Sequence, residues 1–451
     1  MVSDVGKILI GGRFVINESL TLSGIAVELG QGAEIVVNQG VTFTANKSTQ
    51  QQTQFYSCQN NYWLGIENLG TIQFNEVILE NALSGIFNRN SGRSRVELSC
   101  FNENDSHIVV LRTTGTSGSA DNSSNNEGPV YLRGNQFRSD KPFSYRQQNR
   151  TRNYIGVLYL YGFNDFVTLS LGNDFIVGVS SSTRVNKNVF SNFSYGIALG
   201  SFDNNSRILL ARDMDINIQN NIFRNSNRIT PNTYNAACHI HLPVVGINFQ
   251  KVDFPQTYIT NCLFDNLCVG VDYSLPSYSV DNSDPLVKFD GYLYLAASNF
   301  KNISTSTPNL HTAAVSLGTD ISRKPLSPFG VSPNISIFKI FNGASMLAIT
   351  NKFYNSTNGI VDNMGGQHFI GSSEFVNISN IGIHSPDNTY RIATFISGNR
   401  FINNLQAATL MNSTKIHTVR YSASSTMPIA SQPVVVGHAY YNNSIDGGRG
   451  G

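Results

Sequence analysis

Arg138, Lys141, Tyr145, Arg146, Arg150 and Arg152 bring five cations and a phenol together in one short stretch of the 451-residue sequence. They belong to a run over residues 133–154 that also holds Arg133, Phe137, Phe143 and Tyr154. Guanidinium and ammonium groups pair with carboxylates and phosphates, and aromatic rings add a stacking face. That mixture suits contact with an anionic glycan, a phosphate or a carboxylate-rich partner. The competing assignment is a long solvated loop, because charge in the rest of the chain is balanced.

Other residues invite metal or acid–base chemistry. His239 and His241 flank Ile240, so on a strand both imidazoles would point the same way. Cys238, Cys262 and Cys268 would have to arrive from neighbouring elements to complete a four-ligand set. The sequence does not place them, and neither a metal nor a cofactor is expected. Asp213 and Asp215 would share one face of a strand, while Asp281 and Asp284 fall in a loop. Each pair is at most half of a two-carboxylate or Ca²⁺ site, and solvated strand or turn residues are the preferred reading. No catalytic residue is assigned.

Composition narrows the partners. Only 13% of residues are charged, against roughly 25% in ordinary soluble domains, and the formal net charge is +2. Such a balance gives no reason to expect nucleic acid. No stretch approaches the roughly 20 apolar residues of a membrane-spanning helix, so membrane insertion is not expected. The start, MVSDVGKILIGG, lacks a signal-peptide core, which fits an export signal already removed or an excised piece of something longer. Five cysteines at irregular spacing do not make a disulfide framework, and most are expected to be small buried packing residues.

The elements that must position these residues follow from a repeat. The octet Phe-x-Asn-x-x-x-Gly-Ile/Val occurs as FSNFSYGI from Phe190, FDNLCVGV from Phe264 and FYNSTNGI from Phe353. Composition alone would give about 0.04 copies. Looser copies start at Leu79, Phe375 and Phe401, and partial ones at Phe101, Phe137, Phe223 and Phe300. An Asn or small polar residue stands two places before the aromatic, as in Asn135, Asn188, Asn221, Asn351 and Asn399. Short β-branched and aromatic runs bounded by Asn and Gly are strands, not helices, and recurrence with tolerated insertions marks a solenoid. The wide intervals from Phe264 to Phe300 and from Phe300 to Phe353 are either coils carrying loops or places where a motif has decayed. Stacked coils put identical positions about 4.8 Å apart, so aromatics would stack and Asn side chains would ladder, including Asn192, Asn302, Asn355 and Asn377.

The expected fold is therefore all-β, a right-handed parallel β-helix solenoid of about 13 to 16 coils with an N-terminal cap and long lateral loops. One domain is expected over 1–445, with the cap in 1–23 and a Gly-rich linker or tail over 446–451. Insertions at 113–129, 225–237, 274–290, 304–332 and 413–433 are read as lateral loops.

The segment CQNNYWLGIENLGTIQFNEVILENALSGI over residues 58–86 resembles the coils of secreted bacterial β-helix proteins with pectate-lyase-like architecture, some of them large cell-surface proteins exported by the type IX pathway. The Asp-Asp, Gly-His-Gly and Arg-Ile-Lys elements of the polygalacturonase-like branch are absent, as is the family's C-terminal sorting domain. A well-kept coil pattern combined with no recognisable catalytic constellation leads to the expectation of an extracellular or cell-surface, non-catalytic structural or adhesive module. Its lateral loops would contact a glycan or neighbouring copies of the chain, and its oligomeric state is left open. A polysaccharide lyase or glycoside hydrolase with an unrecognised site is the alternative, and a phage-type receptor-binding spike the second.

Overall fold

A short amide side chain makes Asn the non-glycine residue best suited to the left-handed backbone region. The structure is a computed structural model that describes residues 6–57, 62–113, 130–139, 155–162, 175–178, 187–200, 209–210, 216–225, 244–250, 252–253, 256–274, 292–304, 312–317, 345–362, 366–385, 391–397, 399–410, 416–417 and 439–441. In it the Asn of Phe-x-Asn adopts that conformation: Asn192, Asn266 and Asn355 have φ of 57, 59 and 48°. Asn302, Asn377 and Asn403 repeat the turn, and Glu103 takes the same place after Phe101.

Each turn follows a three-residue strand, and two longer strands come before the next one. The chain runs through Ile78–Glu80, Ala82–Arg89 and Arg93–Glu97, then returns to Cys100–Asn102, which pairs parallel with Ile78–Glu80. This order recurs. Among the described residues fourteen strands belong to the first class, thirteen to the second and thirteen to the third, and Leu209–Leu210 pairs separately with Val252–Asp253. No helix occurs among the described residues. The chain is an all-β parallel β-helix.

It divides into two compact units, Met1–Phe202 with Asn217–Thr230, and Asp203–Ile216 with Pro231–Gly451. Inside the first unit, Leu79, Phe101, Phe137, Phe190 and Phe223 stand in register. The phenyl centroids are 5.2, 4.7 and 4.8 Å apart in succession. Inside the second, Phe264, Phe300, Phe353, Phe375 and Phe401 do the same at 4.6, 5.1, 4.6 and 4.9 Å. Every one of these rings is buried. Rings held at the strand spacing are offset-stacked, worth about 0.5–1.5 kcal/mol per pair beyond the area they bury.

The glycine of the octet seats the ring of the following coil. A Cβ on Gly270 would lie 2.5 Å from the Ala314 carbonyl oxygen and 2.6 Å from the Phe300 ring. On Gly359 it would lie 2.3 Å from the Gly382 oxygen and 2.7 Å from the Phe375 ring. Neither backbone nor stacked ring can retreat cheaply.

Polar atoms inside the coils are satisfied by ladders. In the first unit, Asn135 Nδ2 donates to Asn188 Oδ1 at 3.1 Å and Asn188 Nδ2 to Asn221 Oδ1 at 2.9 Å. The same amides also donate to the carbonyls of Val96, Leu132 and Val177. In the second unit the ladder mixes residue types: Ser298 N donates to Asn351 Oδ1, Asn351 N to Ser373 Oγ and Ser373 N to Asn399 Oδ1. The left-handed turn residues form a separate, exposed row, with Asn377 Nδ2 donating to Asn355 Oδ1 at 3.0 Å.

The wide intervals are insertions rather than missing coils. Phe300 pairs directly with Phe353, and Phe137 with Phe190. Residues 304–332 are not all loop, however. Ala313–Leu317 is a buried second-class strand between Val269–Ser274 and Asn358–Asp362, formed from small and β-branched residues that carry no octet. Within 413–433, Ile416–His417 is likewise a strand. Most of the other expected loops, and residues 446–451, lie outside the described residues. In the segment expected to cap the helix, Lys7–Ile10, Arg13–Ile16 and Leu20–Ser23 form strands paired parallel with the next coil.

If Gly359 is the seat of the Phe375 ring, Gly359→Ala should destabilise by about 1–3 kcal/mol through overpacking. Gly12→Ala, where a Cβ meets nothing within 4 Å, should change stability by less than about 0.5 kcal/mol. Urea denaturation of the two variants against the parent chain reads both numbers.

Candidate functional site

Alternation along a first-class strand buries the central aromatic and turns both neighbours outward. In the first unit this builds an outer row of Glu80, Asn102, Arg138, Ser191 and Arg224. Asn102 Nδ2 donates to Glu80 Oε1 at 2.9 Å, and Arg224 Nε to Ser191 Oγ at 3.4 Å. Arg138 is half-buried on Gln136–Arg138, and two strand spacings, roughly 10 Å, separate it from Arg224. The row thus runs from acid to base.

Arg138 is the one residue of the expected anion-binding set that the structure describes. Lys141, Tyr145, Arg146, Arg150 and Arg152 lie outside the described residues. Two members of the wider basic and aromatic run go elsewhere. Phe137 is a core ring, stacked on Phe101 and Phe190, because the strand period turns it inward. Arg133 sits on the third-class strand Val130–Arg133, its Nη1 3.4 Å from Glu97 Oε2. Glu97 also receives Arg95 Nε at 2.7 Å, and the Arg95 guanidinium lies 4.7 Å from the centre of the Tyr131 ring.

In the second unit the other outer row, at the first position of each first-class strand, holds a constellation that the sequence reading did not single out. Lys352, Glu374 and Arg400 stand in register, with Tyr354 at the far end of the Lys352 strand. The Tyr354 hydroxyl donates to Glu374 Oε2 at 2.7 Å, and Arg400 Nη1 donates to Glu374 Oε1 at 3.1 Å. Partial burial, then the hydrogen bond to Glu374 and its charge, pushes the Tyr354 phenol up to about 12. Tyr354 is therefore a donor, not a base, at neutral pH. Glu374 has each oxygen engaged by a donor, which makes it a poor group for proton abstraction, and Lys352 and Arg400 stand exposed beside it. Its members are 22 and 26 residues apart along the chain, and all three strand positions adjoin octet aromatics. Aligning Phe353, Phe375 and Phe401 was the signal that would have found them.

The remaining candidates are less developed. Asp213, Asp215, Asp281, Asp284, Cys238, His239 and His241 lie outside the described residues. Among the described residues no cluster of three or more His, Cys, Asp or Glu is placed to hold a metal. Cys262 is a buried packing residue whose Sγ lies 3.4 Å from the Thr260 carbonyl. Cys268 is buried as well, but it is disulfide-bonded. The irregular cysteine spacing did not foretell a disulfide.

No protein-family model matches the sequence, and no curated protein matches it either.

Because the folded-state value of Tyr354 lies above the ordinary 10.0, its stabilising contribution is complete below that pH and is lost as pH rises to about 12. Glu374→Gln removes the carboxylate charge and leaves burial as the main cause. The Tyr354 midpoint, read as the difference in phenolate absorbance between each chain and its Tyr354→Phe partner, should then fall towards 10.0. An unchanged midpoint would show that the two side chains do not interact.

Proposed function

We propose that this chain is a non-catalytic structural or adhesive β-helix module that works outside the cell, as part of a secreted or cell-surface protein like those its coils resemble. The observation that carries this reading is the continuous interior column of stacked rings in each unit. A filled interior leaves no cavity between the stacked rings for a ligand, so recognition falls to the outer rows, which a stiff stack presents at a fixed spacing. Two further observations support it. Only 13% of the residues are charged, and Cys268 is in a disulfide, a bond that persists in oxidising surroundings such as the cell exterior.

The Tyr354, Glu374 and Arg400 cluster favours a second reading, a polysaccharide lyase or hydrolase with an unfamiliar site. Its fully engaged carboxylate is the reason for ranking it second.

Two measurements test the proposal. The purified chain should not shorten polygalacturonate, alginate or hyaluronan in size-exclusion profiles, and cleavage abolished by Glu374→Gln would establish the enzyme instead. With five cysteines and one disulfide, thiol titration of the unfolded, unreduced chain isolated from its native compartment should find three thiols, rising to five on reduction. Five thiols before reduction would contradict an oxidising compartment.

A further inference from the structure

The outer side of the third-class strands in the second unit differs from the rows described above. Gln256–Thr260 pairs with Tyr292–Ala296 so that Tyr258 lies beside Tyr294 and Gln256 beside Tyr292. Thr257, Ile259, Leu293 and Leu295 are buried, and alternation leaves Tyr258, Tyr292 and Tyr294 half-exposed on the opposite side. The rings of Tyr258 and Tyr294 are 5.9 Å apart and inclined at 62°. Burial raises the Tyr292 phenol, and Tyr294 and Tyr258 raise it further.

Among the described residues, the outward positions of these two strands carry no charged side chain. The register continues onto Ser345–Ile349 through Ser345, Leu347 and Ile349, and beyond Leu347 through Phe369 and Phe395. No Asp, Glu, Lys or Arg occupies these positions, whereas of the two outer rows of the first-class strands in the same unit one carries Asp265 and Lys301 and the other Lys352, Glu374 and Arg400. An anionic ligand would lose water here and find no counter-charge. An uncharged sugar would stack its C–H face on a ring and use its hydroxyls on the tyrosine hydroxyls and Thr260. Three aromatic rings, each able to bury at most about 150–250 Å² and already half-covered, fall short of the roughly 800 Å² per partner of a stable protein interface. The inclined rings make a twisted surface, which matches a single polymer chain and mismatches a flat crystal.

We propose that Tyr258, Tyr292 and Tyr294 form a platform for one chain of an uncharged polysaccharide, laid along the stack so that successive sugars meet successive strands. This deepens the adhesive reading and rests on it.

The test is affinity electrophoresis of the full chain through mixed-linkage β-glucan, xylan, galactomannan and polygalacturonate, with pull-down on microcrystalline cellulose. At least one of the three soluble uncharged polymers should retard the chain, and crystalline cellulose should not deplete it. Tyr258→Ala with Tyr294→Ala should weaken retardation tenfold or more, Tyr258→Phe with Tyr294→Phe less than that, and Lys47→Gln, on the other unit, not at all. Circular dichroism checks the fold of each variant. Should the double alanine chain unfold, the double phenylalanine chain and Tyr292→Thr decide, each expected to weaken binding. Retardation by polygalacturonate alone, by none of the uncharged polymers, or equally in parent and variants would overturn the platform. Each of those results leaves the adhesive reading standing, which fails separately if the chain shortens a polymer.

Discussion

A parallel stack obliges each residue to be compatible with the one directly above it at a single strand spacing. Few side chains satisfy that in a closed interior. Phenylalanine does, because its ring can lie offset on another ring at the spacing the backbone imposes. Asparagine does, because its amide both donates and accepts, so Asn135, Asn188 and Asn221 hand hydrogen bonds from coil to coil. An unpaired amide in the same place would cost about 1–3 kcal/mol. Glycine enters for the opposite reason: at Gly270 and Gly359 the neighbouring ring and carbonyl leave no room for a Cβ. The octet is the trace of these three requirements in the sequence.

The requirement binds only residues that face a neighbour in the stack, which explains how irregular the spacing can be. Phe353 and Phe375 are joined by a short coil, while Phe300 and Phe353 are adjacent in space across a much longer stretch of chain. Closing a longer loop costs little more than closing a shorter one. Insertions can therefore vary freely at the turns while the columns stay intact. Function is free to change on the outer rows for the same reason.

This division sets what could be read from the sequence. The fold was readable because octet residues repeat by type, and Phe101, Phe137, Phe223 and Phe300 took their places in the columns despite decayed motifs. Ala313–Leu317 was missed because a strand of small residues without aromatic or turn leaves no such mark. The two kinds of Asn were merged, since a buried ladder residue such as Asn351 and a left-handed turn residue such as Asn355 look alike in one dimension. On the surface the sequence offered even less. Lys352, Glu374 and Arg400 meet only once register is known. Phe137 was grouped with nearby arginines because proximity along the chain says nothing about which side of a strand a residue faces.

The account depends on the columns being real contacts in solution, and a double-mutant cycle measures that most directly. Phe300→Leu and Phe353→Leu, neighbours in the column at 5.1 Å, should show a coupling of about 0.5–1.5 kcal/mol in denaturation experiments. Phe300→Leu and Phe401→Leu, which share the column without touching, should be additive within about 0.5 kcal/mol. Additivity in both pairs would contradict the stacked arrangement.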